Sequence, residues 1–256
     1  MEPAGTLSFT CNVCGTGNSL LASSIQRETG ACRSCGANVR FRSVAAVLMQ
    51  RLFGNTAVLA QLVPNKRITG VGMSDAGCYA SLLHAKFNYT NTFYHCEPRL
   101  DISQPDVARM GRNDFVISSD VFEHVGPPLQ QAFDNLYGLL KPGGAAVFSV
   151  PFSLEDKTRE HYPNLYKFAV SQDPDGGWVL NNETATGELE QFRNLVFHGG
   201  PGSTLEMREF SLPALKRHFD AAGFVDFRVH RESLFEYGIF WPVPWGITIS
   251  ALRAHG

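Results

Sequence analysis

From about residue 66 onward, short apolar segments alternate with segments whose apolar residues recur at helical spacing. The apolar segments end in glycine, proline or polar residues and predict four strands: KRITGVGM, NTFYHCEP, DFVISS and AAVFSVP. Between them, CYASLLHAKF and LQQAFDNLYGLL have the period of helices, and KPGG is predicted to stop the second. LPALKRHFDAAGF predicts a further helix ending at Gly223, followed by two last strands in VDFRVHRE and GITISALRA. This β-α-β order predicts an α/β fold with a Rossmann-like, doubly wound, mainly parallel sheet.

Two parts of the chain fall outside this alternation. Residues 1–41 are polar and too short to build a core, and the helix predicted for SVAAVLMQRLFG, ending at Gly54, links them to a main domain of residues 42–256. Residues 152–207 are rich in Asn, Asp, Gly, Pro, Glu and aromatic residues. We interpret them as an insertion after the strand AAVFSVP that covers the ligand edge of the sheet as a substrate lid.

Four of the six cysteines stand in two C-x-x-C pairs, CNVCG and CRSCG, with 17 residues between the pairs. These are Cys11, Cys14, Cys32 and Cys35. Four thiolates suit tetrahedral Zn²⁺ and leave no open position for chemistry, so the pattern predicts a structural, zinc-ribbon-like module. Disulfides and chance are the alternatives. Cys78 and Cys96 have no such partners and are predicted to be small buried hydrophobes.

Composition and charge restrict the function further. The hydrophobic fraction of 44% is sufficient for a globular core, and the net charge of −2 argues against a nucleic-acid partner without excluding a local basic patch. The sequence has no apolar run of about eighteen residues and no signal-peptide pattern at its first residues, so we expect no membrane span and a cytoplasmic location.

The segment ITGVGMSDAG, residues 68–77, carries the start of a glycine-rich loop at Gly70 and Gly72, but Asp75 stands where the G-x-G-x-x-G pattern has its third glycine. Bulk and negative charge there disfavour a pyrophosphate and are better tolerated by a phosphate-free, positively charged ligand. S-adenosylmethionine fits that description. Asp75 is also a candidate N-cap for the helix beginning near Gly77.

Acidic residues follow the next two predicted strands. Glu97 lies about 25 residues beyond the glycine loop, near the spacing of an acid that binds ribose hydroxyls, and Asp101 follows in LDIS. Asp120, Glu123 and His124 cluster after DFVISS. Because ligands of open α/β sheets bind at the carboxyl ends of the strands, we expect these residues to converge on one edge.

On these residues the sequence resembles class I S-adenosylmethionine-dependent methyltransferases over about residues 66–152. GVGMSDAG, FYHCEP, DFVISSDVFEHV and LLKPGGAAVFSVP carry the resemblance. More narrowly, the chain resembles a bacterial subgroup with an N-terminal four-cysteine module and the segments TREHYP and LVFHGGPGSTLEMREFS. Many relatives of this type are linked with methylation of glycans or secondary metabolites.

The resemblance implies a role for each matching position. Gly70 and Gly72 would let the loop pass close to the methionine part of the cofactor, and Glu97 would bind the ribose hydroxyls. Asp101 would lie near the adenine. Asp120 and Glu123 would lie on the substrate-facing side of the cofactor.

Three histidines are candidates for the general base. O-methyl transfer to a hydroxyl requires alignment and loss of a proton, and imidazole titrates in the useful range. His161 and His198 lie in the insertion, and His124 follows the strand DFVISS. Structural roles for each are the alternative. The reaction needs no metal, and no cluster of histidines and carboxylates has a convincing spacing for one.

The sequence therefore predicts O-methylation of a small-molecule or saccharide hydroxyl. One alternative is an RNA methyltransferase, motivated by Arg27, Arg33, Arg40 and Arg42 in or beside the cysteine module. Against this alternative, the sequence lacks aromatic residues interleaved for base stacking. Another is a non-catalytic scaffold with a degenerate cofactor loop. A nicotinamide dehydrogenase ranks last, because the glycine pattern is incomplete.

Overall fold

The computed structural model describes residues 5–255. Sixteen strands and four α-helices follow one another within these residues. The N-terminal part contains β1 (Thr6–Thr10), β2 (Gly17–Leu21) and α1 (Val39–Phe53). The next part contains β3 (Thr69–Met73), α2 (Gly77–Lys86), β4 (Asn88–Thr92), β5 (Asn113–Ser119), α3 (Leu129–Leu139) and β6 (Leu140–Ser149). The insertion contains β7 (Phe152–Ser153), β8 (Arg159–Glu160), β9 (Lys167–Gln172), β10 (Trp178–Glu183), β11 (Leu189–Phe192), β12 (Phe197–His198) and β13 (Thr204–Leu205). The chain continues with β14 (Arg208–Ser211), α4 (Leu212–Ala221), β15 (Phe224–Val229) and β16 (Ile249–Arg253).

A six-stranded sheet in the order β15-β16-β6-β5-β3-β4 forms the centre of the fold. Strands β3 to β6 run parallel, whereas β16 runs antiparallel to β6 and β15 antiparallel to β16. The predicted Rossmann-like α/β class is therefore confirmed. Since the parallel strands share one direction, their carboxyl ends lie at one edge.

Both faces of this sheet are buried, which explains why its strands read as continuous apolar runs. On one face, α1 and α2 pack over Phe115, Ile117 and Val147. On the other, α3 and α4 pack over Val116 and Phe148. The two faces thus divide the hydrophobic core into two layers.

The N-terminal module shares the core of the main domain. Cys11, Val13 and Cys32 belong to the same buried cluster as Phe115 of the central sheet. Helix α1, which joins the two parts, begins after Asn38, whose side-chain oxygen accepts the N–H of Phe41 at 3.0 Å. It ends at a left-handed Gly54, as predicted. The module is therefore packed against the sheet.

The segment KPGG does not lie between α3 and the next strand as predicted. Helix α3 ends at Leu139, and β6 begins directly at Leu140. Leu140 pairs with Asn113 and Ala145 with Phe115, so the residues between them bulge out of the ladder. Glycine suits this bulge because Gly143 has φ of 76°.

The insertion is built from short strands rather than loop. Strands β9 to β11 form a three-stranded antiparallel sheet. Strand β14 joins β7 and β8 in a second sheet, which is mixed because β14 runs parallel to β7 and antiparallel to β8. A small core of Tyr162, Leu180, Leu205 and Met207 holds it together. Within residues 5–255, no helix has the length and apolar character required to cross a bilayer.

Candidate functional site

The glycine loop lies at the carboxyl end of β3, where the parallel strands meet. Ser74 has a left-handed φ of 56°, which turns the chain sharply after the strand. A Cβ at Gly70 would overlap the Phe115 ring, and one at Gly72 would overlap the Asp75 carboxylate and the Tyr89 hydroxyl. Both positions are thus glycine because the protein's own side chains occupy the space where a side chain would lie.

Asp75 does not cap α2. The N-cap of α2 is Ala76, and no side chain caps it. The carboxylate of Asp75 is buried and accepts hydrogen bonds from the hydroxyls of Tyr79 at 2.6 Å and Tyr89 at 2.5 Å. Burial raises the pKa of Asp75 to about 7, although the two tyrosine hydroxyls act in the opposite direction. The carboxylate therefore holds the glycine loop in its conformation through hydrogen bonds to these two tyrosines.

Asp75 also gives a prediction for the pH dependence of stability. Its pKa is about 7 in the folded chain, against about 3.9 when unfolded. Between these values the unfolded chain has released a proton that the folded chain retains, so the free energy of unfolding falls as pH rises. The slope from this group approaches about 1.4 kcal/mol per pH unit. Relative to Asp75→Asn, the wild type should lose stability from about pH 4 to about pH 7, measured by urea unfolding.

The exposed Asp156 provides the control, because Asp156→Asn should leave the pH profile of the wild type unchanged. A stability difference between wild type and Asp75→Asn that stays constant across this range would contradict the raised pKa.

The segment after β4 differs from the strand predicted for NTFYHCEP. Strand β4 ends at Thr92, and the chain then bends, with a single bridge between Phe93 and Arg99. Glu97 is exposed and accepts the N–H of Arg99 at 2.8 Å. Cys96 is exposed too, so its predicted burial is wrong, whereas Cys78 is half-buried. The carboxylate of Glu97 thus remains accessible at this edge.

Asp101 lies just beyond that bridge. One of its carboxylate oxygens accepts the N–H of Ser103 at 3.0 Å and the Ser103 hydroxyl at 2.7 Å. Its neighbours Leu100 and Ile102 are buried in the core. Asp101 is therefore fixed in a tight turn beside the strand ends.

Asp120, directly after β5, binds two arginines of the cysteine module. Arg27 donates to both carboxylate oxygens, at 2.9 and 2.5 Å, and the Nε of Arg40 lies 3.3 Å away. Burial acts to raise the pKa of Asp120, but the hydrogen bonds and charge of Arg27 hold it below its usual range. Arg27 also donates to the carbonyl of Gly246 at 2.8 Å. The module thus forms one wall of the candidate site.

Glu123 and His124 lie on the short 3-10 turn that follows Asp120. The Glu123 side chain is fully buried, and both oxygens lack a hydrogen-bond partner within the described part of the chain. Burial raises the pKa of Glu123 well above its usual range, and the charge of Asp120 adds to this. Burial lowers the pKa of His124, which keeps its imidazole neutral.

The insertion brings the other two candidate histidines to the same place. The ring of His198 lies 5.3 Å from that of His124, centroid to centroid. The Nε2 of His161 lies 3.1 Å from Glu206, and Met207, next in the chain, donates its N–H to the carbonyl of Glu123 at 2.7 Å. His198 therefore packs against His124 beside the end of β5, and His161 is joined to this region through Met207, whose carbonyl accepts the His161 N–H at 2.8 Å.

The four cysteine sulfurs of the module also come together. The Sγ atoms of Cys11 and Cys35 are 3.7 Å apart, those of Cys14 and Cys32 are 3.6 Å apart, and all four lie within 4.8 Å of one another. Sulfurs bound to one Zn²⁺ at about 2.3 Å would stand about 3.8 Å apart in a tetrahedron. The residues present fit a tetrahedral zinc ion.

The sequence predicts most of the residues at this site but gives no sign that the cysteine module contributes arginines to it. From the sequence, Arg27 and Arg40 are candidates only for RNA contacts. Nothing near them in the sequence indicates that Asp120 is their partner. An Arg and an Asp 93 residues apart can be paired only through the fold.

Residues 14–228 match a protein family described as "Methyltransferase domain". Among solved structures, a 1,6-didemethyltoxoflavin-N1-methyltransferase from Burkholderia thailandensis is 16% identical, with a TM-score of 0.44 over 82% of this chain and 76% of that one. A sugar N-methyltransferase from a Streptoalloteichus species is 14% identical, with a TM-score of 0.46 over 87% and 89%. An S-adenosylmethionine-dependent methyltransferase from Mesorhizobium loti is 12% identical, with a TM-score of 0.44 over 86% and 100%. No curated protein matches the chain.

Proposed function

The chain belongs to the methyltransferase domain family, and we propose that it transfers the methyl group of S-adenosylmethionine to a hydroxyl of a small molecule or saccharide. The observation that carries this proposal is the placement of His124 and His198 together beside the carboxyl edge of the parallel strands, with His161 joined to the same region through Met207. An acceptor hydroxyl held at this edge would have a neutral imidazole within reach. Methyl transfer requires in-line alignment of the hydroxyl oxygen with the methyl carbon, and a base for the hydroxyl proton.

The cofactor would lie across the ends of β3 and β4. The turn at Ser74 brings the loop after Gly72 around the methionine part, and the exposed Glu97 is free to accept hydrogen bonds from two ribose hydroxyls. The turn at Asp101 would face the adenine. Because Asp75 is directed toward two tyrosines, its contribution is to set the loop conformation rather than to contact the sulfonium.

His161 is our candidate for the general base. Its Nε2 contacts the carboxylate of Glu206, which orients the ring and stabilises the imidazolium that forms when the base takes a proton. The other ring nitrogen, Nδ1, is then the atom that accepts the proton of the acceptor hydroxyl. His161 belongs to the insertion, which supports a role of residues 152–207 as the substrate lid.

The cysteine module would hold a structural zinc ion and support the site through its arginines. This arrangement also argues against the RNA alternative, because Arg27 and Arg40 bind Asp120. Arg42 is fully buried and donates to backbone carbonyls, among them that of Gly238 at 2.9 Å. Of the four arginines that motivated RNA binding, Arg33 alone is exposed.

Calorimetric titration of S-adenosylmethionine tests the cofactor site. Glu97→Ala should weaken binding at least about tenfold, since it removes a charged hydrogen-bond acceptor from the ribose. Glu188→Ala, at an exposed turn of the insertion, should bind like the wild type. Absence of binding by the folded, zinc-loaded wild type would instead favour the scaffold alternative.

Product formation tests the base. With a methylated acceptor identified from a panel of sugars and phenols, His161→Gln should lower kcat by about 10²–10⁴-fold while the affinity for S-adenosylmethionine stays unchanged. Equal kcat in both proteins would exclude His161 as the base.

A further inference from the structure

A second group of potential metal ligands lies beside the candidate site, apart from the four cysteines. Glu123, His124 and His198 each offer one ligand atom, and these atoms lie within 4.8 Å of one another. Positions 123 and 124 are adjacent in the sequence, whereas His198 comes from strand β12 of the insertion. The spacing along the chain gives no sign of this group, in keeping with the observation that no cluster of histidines and carboxylates has a convincing spacing for a metal.

The buried carboxyl group of Glu123 needs a hydrogen-bond or ionic partner that residues 5–255 do not supply. Its side chain is fully buried, yet neither oxygen has a hydrogen-bond partner among residues 5–255. A buried, unpartnered carboxyl is costly, and such groups in native proteins usually receive a ligand, an ion or a water. The nearby arginines do not serve it, because Arg27 and Arg40 bind Asp120.

His124 is held in the tautomer that a metal ligand requires. Its Nδ1 lies 2.9 Å from the carbonyl oxygen of Leu205, and a carbonyl can only accept, so Nδ1 carries the proton. The lone pair of the neutral ring is then on Nε2, which lies 3.8 Å from an oxygen of Glu123. Histidines that bind metals usually donate their second ring N–H to a carbonyl or carboxylate in this way.

We propose that Glu123, His124 and His198 bind one divalent first-row transition metal ion at the junction of the central sheet and the insertion. Two imidazoles and one carboxylate are the ligand set of catalytic Zn²⁺ sites and of open Fe²⁺ sites, and they leave further positions free. Ligand atoms bound to one such ion stand about 3.0–3.4 Å apart. His198 is exposed on a short strand, and a small inward rotation of its side chain closes the remaining distance.

The free positions of the ion would face the acceptor. There the ion would bind a hydroxyl oxygen, lower the pKa of that hydroxyl and favour acceptors that present two neighbouring oxygens. This role rests on the proposed function, whereas metal binding itself does not.

Cobalt binding tests the site without methyl donor or acceptor. Protein whose cysteines are saturated with one equivalent of Zn²⁺ is dialysed against Co²⁺, and bound metal is counted by mass spectrometry. We expect one further equivalent of Co²⁺, with visible bands of nitrogen and oxygen ligands and no thiolate charge-transfer band. Co²⁺ should also raise the thermal midpoint of unfolding, because it binds the folded state alone.

Two variants remove a ligand with little effect on folding. His198→Ala truncates an exposed side chain, and Glu123→Gln keeps the shape of the buried one. Each should weaken Co²⁺ binding at least about tenfold and abolish the thermal shift. His84→Ala, at an exposed histidine on α2, should bind like the wild type.

The proposal fails if the wild type takes up no second equivalent, or if Glu123→Gln and His198→Ala both retain it with unchanged affinity. Because no methyl donor is present, this result is independent of whether the protein transfers methyl groups.

Discussion

Replacing Cys35 with serine should abolish binding of the zinc ion that we propose for the cysteine module, and it should abolish methyl transfer, although the candidate site lies at the sheet edge. Serine is a poor zinc ligand, and three thiolates hold the ion far more weakly than four. We expect the zinc content to fall from about one equivalent to near zero, the thermal midpoint to fall by at least about 10 °C, and activity to fall at least about a hundredfold.

The physical reason is the coupling between the module and Asp120. Without the ion, the short hairpin of β1 and β2 has little core of its own, and its buried cysteines no longer hold it against the sheet. Arg27 and Arg40 then no longer pair with the carboxylate of Asp120, which is only 6% exposed. Leaving a buried charge without its partner costs about 3–5 kcal/mol, which is a large part of the stability of a domain.

Zinc analysis, thermal unfolding and activity are measured on the same preparation. Cys96→Ser, at an exposed cysteine outside the module, serves as the control and should behave like the wild type. Arg27→Met tests the contact with Asp120 separately from zinc binding. This variant should keep the zinc yet lose much of the stability and activity. Full activity of a zinc-free Cys35→Ser protein would show that the module does not support the site.

Replacing Gly72 with alanine should disrupt the glycine loop and weaken binding of the proposed cofactor. The new Cβ would overlap both the Asp75 carboxylate and the Tyr89 hydroxyl, so the hydrogen-bonded pair beneath the loop would have to separate. Overpacking and the broken buried hydrogen bond together should cost about 2–4 kcal/mol. The thermal midpoint should fall by roughly 5–15 °C, and the affinity for S-adenosylmethionine should fall with it.

Gly77 offers a matched control in the same loop. No atom lies within 4 Å of the position that a Cβ would occupy there, and its φ is not in the left-handed region. Because alanine favours the helix that begins at this residue, Gly77→Ala should be neutral or slightly stabilising. Thermal unfolding and calorimetry compare the two variants, and equal behaviour would mean that the loop yields without affecting the site.

The same loop shows where a motif and its physical cause differ. The sequence predicts that Gly70 and Gly72 end the first strand, and the family resemblance assigns them to close approach of a cofactor. In the structure both lie within β3, and the turn follows at Ser74. The structure adds that Phe115, Tyr89 and Asp75 occupy the space beside them. Asp75 belongs to the same loop, but Tyr89 and Phe115 come from other strands, so local sequence could not reveal the whole requirement.

The sequence by itself determined the elements that depend on local pattern. The period of apolar residues gave α1, α3, α4 and the buried strands, because side chains on one face of an element repeat at fixed intervals. Paired cysteines identified the module, since the spacing within each pair sets the geometry of a knuckle. The end of the predicted strand DFVISS in turn placed Asp120, Glu123 and His124 at the carboxyl edge of the sheet, where they follow β5.

Only the tertiary structure decided which of these groups meet. Arg27 pairs with Asp120, which lies 93 positions away, and His198 approaches His124 across 74 positions. The burial of Glu123 is likewise set by the fold. Such contacts depend on how the module and the insertion pack on the sheet. Local pattern records the face on which a side chain lies, whereas hydrogen bonds and burial between distant segments are set by the packing of the whole chain.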